Sequence, residues 1–349
     1  MDYTVRAMAQ QDGPAIRLLD EMSPDSGAFS VVYRCLFDPY EVTMALHPGS
    51  LGVVAENPAD RSLAGKAYVE VTMGRYHGTL RPIGRVFGLV VHPDHRRRGL
   101  ANMLYHKLLE QARKIHGPEV LFLAAIQEGN EASLRAAKTW ATQVVPGRIR
   151  YLFARTVIRA PKVHRGLRIR NAEPRDWVAI ADGTTRFRQN SEWATQVDAE
   201  VLQKFHERQP FGFPLQTCLV AVNEHDKPIA GMSVVFDGLV ETGLYPDFPL
   251  ILRWLNRFLR FAPSNGVLKP LSVRDLWYEP GFEGAALDLW KTAAWQFRDK
   301  GNRLMAAVDP KSPLAKVLPK SSFLPFEGGL LAVAADKPVD LSRTLYLPF

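Results

Sequence analysis

The residues whose types and order most directly imply chemistry lie between Val86 and Ala101, VFGLVVHPDHRRRGLA. An apolar β-type run (Val86, Phe87, Leu89, Val90, Val91) passes into a basic turn, His92 to Arg98, and then into Gly99, which opens a long amphipathic segment. Strand, basic turn and helix in that order make an anion site. A helix N-terminus leaves backbone N–H groups unpaired and carries the positive end of the helix dipole, so phosphate binds there. Gly99 removes the Cβ that would hold a phosphate away from the backbone, and the arginines add attraction over a longer range. Taken alone, HRRR reads as a solvated basic turn. Its position between an apolar strand and a glycine-led helix favours the anion site. His92 and His95 by themselves do not make a metal set, and no metal is expected.

Hydrophobic periodicity supplies the elements that would position this stretch. A strand is expected over Tyr3–Met8 and helices over Gln11–Met22 and Val31–Leu46. Strands follow at Leu51–Glu56 and Ser62–Thr72, joined by the turn-rich NPADR, and a loop over Gly74–Pro82 leads into the motif strand. Leu100, Leu104, Leu108 and Ala112 then recur every four residues, one apolar stripe on a helix from Leu100 to His116. A buried strand (Glu119–Ile126), a helix (Asn130–Ala141) and a closing strand (Ile149–Ile158) complete the first part of the chain.

The chain has 349 residues, enough for two domains. The polar, proline-bearing RAPKVHRG, Arg159–Gly166, marks the boundary between domains at 1–160 and 165–349. Arg6, Asp12 and Ile16 recur as Arg170, Asp176 and Ile180, and Ala55, Ala64 and Gly65 as Ala221, Ala230 and Gly231. Pro93, Gly99, Leu104, Gln111 and Arg113 find counterparts in Pro280, Gly284, Leu289, Gln296 and Arg298. Matches that keep their order and near-constant spacing indicate an internal repeat. The second copy has lost the basic turn: Phe282 and Glu283 precede Gly284, and a glutamate there repels phosphate. That copy also carries about 20 extra residues before its motif strand. Within them Ile251, Leu252, Leu255, Phe258 and Leu259 oppose Arg253, Arg257 and Arg260, an amphipathic helix over Pro249–Phe261 that packs on its own domain, lies on a membrane or meets a partner.

Composition narrows the function classes. A chain that is 46% hydrophobic and 23% charged is globular. It contains no apolar run of the roughly 18 residues that a membrane span needs, and MDYTVRAMAQQDG lacks the apolar core of a signal peptide, so a cytoplasmic protein is expected. Cys35 and Cys218 lie far apart with no CxxC spacing and read as apolar fillers. The net charge of +8 favours an anionic partner. Scattered arginines, with no zinc-finger spacing and no aromatic RNP-type strand, place nucleic acid behind a phosphate-bearing small ligand.

The motif stretch resembles the acetyl-CoA-binding motif of the GNAT N-acetyltransferases, Q/R-x-x-G-x-G/A after a strand; here it is Arg96-x-x-Gly99-x-Ala101. The order of elements over residues 1–160 agrees with that family, and the repeat extends the likeness faintly over 165–349. The resemblance implies an α/β fold with a mixed sheet, two GNAT-like domains in tandem, the second degenerate. It implies that the backbone of Leu89, Val90 and Val91 holds the pantetheine arm of acetyl-CoA. The amides of Arg96, Arg97, Arg98, Gly99, Leu100 and Ala101 would receive the pyrophosphate. Asn130 matches an asparagine that contacts the cofactor in the family, and its place before EASLRAA suits a helix N-cap equally.

An amine must be neutral to attack a thioester, so a base or a water chain has to take its proton. In many GNAT enzymes a tyrosine about seven residues after the asparagine protonates the leaving thiolate; here Ala137 stands there. Tyr151 is the substitute candidate. Glu70 and Glu128 are the candidate bases; strand alternation puts Glu70 on the face opposite Val69 and Val71, towards a cleft or solvent. The expected function is acetyl transfer to a primary amine, of a small molecule or a peptide, in a ternary complex. The missing tyrosine motivates a rival, a non-catalytic acyl-CoA-binding or sensing protein, and the basic helix a third, an interaction scaffold.

Overall fold

The computed structural model describes residues 3–23, 32–244, 266–319 and 328–347; the amphipathic helix expected over Pro249–Phe261 lies outside them. The repeat is written into the element order. The first half runs β1 (Thr4–Ala7), α1 (Gly13–Met22), α2 (Pro39–Leu46), β2 (Leu51–Glu56), β3 (Leu63–Tyr76), β4 (Thr79–Val91), α3 (Leu100–His116), β5 (Leu121–Gln127), α4 (Glu131–Ala137) and β6 (Gln143–Arg155). The second runs β7 (Arg168–Asn171), α5 (Trp177–Arg188), α6 (Ala199–Glu207), β8 (Gln216–Val222), β9 (Pro228–Val235), β10 (Pro270–Tyr278), α7 (Glu283–Gln296), β11 (Arg303–Val308), α8 (Leu314–Val317) and β12 (Gly328–Ala334). None of the described helices is long and apolar enough to cross a membrane.

Both copies open with the same device. Arg6 grips Asp12 with two nitrogens, each 2.8 Å from a carboxylate oxygen, while Asp12 accepts from the Ala9 amide at 2.8 Å. Arg170 grips Asp176 likewise, and Asp176 accepts from the Glu173 amide at 2.7 Å. The paired charges turn the chain out of an edge strand, through one 3-10 turn, into the first helix.

These twelve strands join one sheet in the order β1-β2-β3-β4-β5-β12-β6-β11-β10-β9-β8-β7. The two closing strands have crossed over. β12 from the end of the chain lies between β5 and β6, and β6 passes to the second half to pair with β11, Tyr151 opposite Ala307. Trp193, Ile149, Leu331, Val333 and Leu345 pack over this central crossing and are almost fully buried. On the first half, the α3 stripe of Leu100, Leu104, Leu108 and Ala112 packs on Val53, Ala64, Val69 and Val86. Each leucine so buried contributes about 2 kcal/mol. α7 repeats the arrangement on the second half with Leu289, Trp290 and Ala293.

Three local expectations are corrected. Val31–Leu46 is not one helix: Val32–Cys35 is a strand paired with Glu241–Leu244 of the second half, and α2 starts only at Pro39, capped by Asp38. β-branched Val32 and the X-Pro step before Pro39 oppose a continuous helix. Gly74–Pro82 is not a loop, because β3 and β4 continue to a tight turn at His77 and Gly78, both at positive φ. The closing strand begins at Gln143 rather than Ile149, since Gln143, Val144 and Val145 gain a partner in β12, nearly two hundred residues distant in the chain.

Candidate active site

β4 and β5 run parallel and pair only from Ile83 to Arg85 with Leu121 to Leu123. Beyond Arg85 they diverge, leaving the edge of β4 from Val86 to Val91 without a β5 partner. Six residues at about 3.3 Å each give ~20 Å of strand edge that β5 does not pair. A bulge opens this fork: Lys66 pairs with Val90 and Tyr68 with Phe87, so Gly88 and Leu89 share one place opposite Ala67. Gly88 sits at φ +61°, and a Cβ there would lie 2.8 Å from the Tyr68 ring. Only glycine fits.

The fork leads to the N-terminus of α3. Gly99 is the N-cap at φ +77° with open space around its missing Cβ, and Arg97 is also at positive φ, 63°. Arg96 donates to the Val91 carbonyl at 3.1 Å, folding the basic turn back onto the strand end. Asn102 and Met103 amides bond to Gly99, so the amides of the first helical turn before them face outward with no carbonyl one turn back. Leu89, Val90 and Val91 thus line one arm of the fork, Arg96 to Ala101 its end, and Asn130 follows the other arm. Asn130 caps α4, its Oδ1 accepting from the Ser133 amide at 3.0 Å.

The second half repeats the fork but not the cradle. β10 and β11 pair in parallel only from Pro270 to Ser272 with Arg303 to Met305. Gly231 pairs with Trp277 and Ser233 with Arg274, and the bulged residue is Asp275 at φ +54°. At the N-terminus of α7, however, Glu283 occupies the first turn and the linker residue His164 lies over Gly284, its ring 3.0 Å from where a Cβ would be. His164 is held there by Asp288, to which its amide and Nδ1 bond at 2.8 and 2.6 Å. The helix end that would receive phosphate is acidic and covered.

A cavity of about 690 Å3 occupies the second fork instead. Val273 to Leu276 of β10 and Ala306 to Val308 of β11 form its walls, Phe187, Arg188 and Phe205 its helical side, and Leu345 to Leu347 close it from the end of the described chain. It reaches the root of the first fork, where Glu70, Thr72, Met73 and Arg85 line it.

At that junction Arg85 donates to Glu70 Oε2 at 2.6 Å and to His47 Nδ1 at 2.8 Å. An arginine has only donors, so Nδ1 accepts and His47 is the neutral tautomer with hydrogen on Nε2. Burial, with Arg85 and Arg274 nearby, lowers His47 to about 4. Burial alone would raise Glu70, yet the Arg85 guanidinium 2.6 Å away outweighs it and holds the carboxylate at about 2. Deeper in, Arg188 bonds to Asp275 at 2.5 Å and stacks on the Tyr346 ring at 3.8 Å, while the Tyr346 hydroxyl donates to Asp275 at 3.2 Å. Arg148 secures Asp309 through Nε at 3.0 Å and a second, shorter bond.

The three candidate catalytic residues are not brought together. Glu70 lines the cavity. Glu128 is exposed at the end of β5 against Gly328, and Tyr151 packs at the central crossing, its hydroxyl raised to about 12 by burial. Neither lines the cavity. Burial also raises the Cys35 and Cys218 thiols to about 12, so neither is a ready thiolate. Sequence reasoning missed Arg85, His47, Arg188 and Asp275. The register that sets Arg85 opposite Glu70 has no local signature. Asp275 had one: the spacing that takes Pro93 to Pro280 also takes Gly88 to Asp275.

A bulged, forked strand that ends in a glycine-led helix, repeated across one sheet, defines a tandem GNAT fold. Residues 34–139 match the model of the Acetyltransferase (GNAT) family. Among solved structures, the chain is similar to Saccharomyces cerevisiae N-myristoyltransferase with bound myristoyl-CoA, at 12% identity and a TM-score of 0.67 over 99% of this chain and 89% of that one. It is also similar to a GCN5-related N-acetyltransferase from Sphaerobacter thermophilus, at 18% identity and a TM-score of 0.58 over 97% and 98% of the two chains. A third, from Anabaena variabilis, has 12% identity and a TM-score of 0.51 over 95% and 72%. No curated protein matches the sequence.

Proposed function

We propose that this chain is an acyl-CoA-dependent N-acyltransferase, with acetyl-CoA as donor and a primary amine of a small molecule or peptide as acceptor. The observation that carries the reading is the asymmetry of the two forks. Residues 1–160 keep an open, basic, glycine-led helix end, whereas residues 165–349 have theirs covered by His164 and hold a cavity in its place. Cofactor and acceptor then enter from opposite halves and meet beside Glu70 and Arg85.

In this reading the cofactor's pyrophosphate lies on the amides from Arg96 to Ala101, and its pantetheine pairs with Leu89 to Val91, with Asn130 facing it across the fork. The neutral amine attacks the thioester carbonyl, the C–S bond breaks, and CoA leaves as thiolate. The Arg85 guanidinium stabilises the oxyanion and Glu70 the positive nitrogen of the adduct, a division suited to a fixed ion pair. Held near 2, Glu70 is a poor general base; the amine proton leaves through water in the cavity.

The second reading, an acyl-CoA sensor without turnover, is favoured by one observation, Ala137 where the family's tyrosine stands. Thiol release separates the two. Transfer predicts that CoA thiol appears from acetyl-CoA with at least one amine in a panel and not without amine; binding with no release across the panel supports the sensor. A ladder of longer acyl-CoA donors in the same assay fixes the acyl length. A cytoplasmic location and the absence of nucleic-acid partners belong to the same proposal.

A further inference from the structure

The guanidinium groups that face the cavity are not all paired. Three guanidinium groups line it, Arg85, Arg188 and Arg274. Glu70 neutralises the first at 2.6 Å and Asp275 the second at 2.5 Å. Asp309 is already held by Arg148, and Asp198 at the mouth caps α6 through the amides of Glu200 and Val201. His47 is neutral. Arg274 is left over: among the described residues it has no ion pair, its one hydrogen bond is a 3.5 Å contact to the Leu46 carbonyl, and its Nε is buried without a partner. Asp237, the other acid near it, is bound to the Ser272 amide at 3.1 Å, and burial raises its pKa.

An unpaired guanidinium in a buried wall is costly unless an anion completes it. Arg274 disfavours protonation of Arg85 and His47 and favours ionisation of Asp237 and Asp275, but bonds to neither acid. With its Nε buried and unpartnered, the Arg274 guanidinium has donors to offer an anion that enters the cavity. The rest of the wall is apolar, from Phe187, Leu202, Val273, Leu276 and Leu318.

We propose that Arg274 is a specificity residue that binds a carboxylate on the acceptor, and that the acceptor is a small amine with an apolar body and a carboxylate, the chemistry of an apolar amino acid. This rests on the reading of the cavity as the acceptor site. Arg274 occupies the position in β10 that Phe87 occupies in β4, one residue before the bulge in each copy. The second fork thus presents a cation where the first presents an aromatic ring. The carboxylate would sit in a fork arm, as the cofactor does in the other half, with the amine turned towards Glu70 and Arg85.

The test uses full-length protein loaded with CoA and two product-like probes, N-acetylphenylalanine and N-acetylphenylalaninamide, titrated by calorimetry. The acid is expected to bind at least about tenfold more tightly than the amide, the scale of one charge-assisted hydrogen-bonded pair. Arg274→Met should erase that preference and leave amide binding unchanged, and Arg274→Lys should restore part of it. Equal binding of the two probes, binding of neither, or a preference that survives in Arg274→Met overturns the proposal. Turnover is read separately with phenylalanine and phenylalaninamide as acceptors. A carboxylate preference in binding with no thiol release from either would remove acyl transfer and leave the anion site standing.

Discussion

Gly88 and Asp275 occupy the same place in the two copies, the bulged residue of the motif strand, and both have positive φ, 61° and 54°. One copy meets the strained geometry with glycine; the other uses an aspartate whose carboxylate is tied to Arg188 and Tyr346. Short polar side chains tolerate this region better than most, at some cost in strain. The exchange turns a bulge that admits a ligand's backbone approach into a strut inside a cavity.

Asp275→Gly should therefore destabilise the protein although it relieves backbone strain. Strain at such a residue costs about 1 kcal/mol, whereas leaving buried Arg188 without its carboxylate costs about 3 kcal/mol. Thermal melts and denaturant titrations should show a net loss of about 2 kcal/mol by these figures. A variant as stable as the parent would mean that the Arg188 pair contributes little.

Gly88→Ala meets two obstacles at once, a positive φ and a Tyr68 ring 2.8 Å from the new Cβ. Stability should fall by about 1–3 kcal/mol. Because the bulge opens the first fork, acetyl-CoA affinity should fall by more than the fraction unfolded explains, as read by calorimetry at a temperature where the variant is folded. Unchanged affinity in folded variant would show that the bulge is not part of the cofactor groove.

Acid should unfold the protein through the Glu70–Arg85–His47 cluster. His47 is lowered from 6.5 to about 4, so it contributes stability above pH 6.5 that is lost as the pH falls through the folded value. Glu70, lowered from 4.5 to about 2, has the same sign and adds its loss between those values. The slope of stability against pH between 6.5 and 4 should be shallower in His47→Gln than in the parent. An identical slope would show that His47 is not buried in the neutral form.

The same ionisations shape the rate. With Glu70 near 2, no ionisation of that group falls between pH 5 and 9, and the rise of kcat/KM should follow the acceptor amine. Glu70→Gln should lower kcat by about 10- to 100-fold yet keep the shape of the profile. A limb that vanishes in the variant would instead make Glu70 the general base.

Much of the fold was legible because its determinants are local. The α3 stripe from Leu100 to Ala112 returns as a buried helix face, and the Arg6/Asp12 and Arg170/Asp176 matches return as one capping device built twice. What was not legible depends on partners distant in the chain. Gln143–Val145 is a strand only because β12 lies beside it, and nothing near Val32 announces Glu241–Leu244. The site divides in the same way. The cradle is one continuous stretch, visible as basic turn and glycine, whereas the junction joins His47, Glu70 and Arg85 from three elements, and the second fork hides behind an aspartate that no glycine pattern finds.

Of the two forks, only the first is proposed to receive the acyl donor. Calorimetric titration of acetyl-CoA into the full chain tests it most directly, with Arg97→Glu/Gly99→Glu and Glu283→Gln as paired variants. One site per chain is predicted, lost in the first variant and intact in the second. Two sites, none, or a single site indifferent to the Arg97 and Gly99 changes would mean that the first fork is not the donor site.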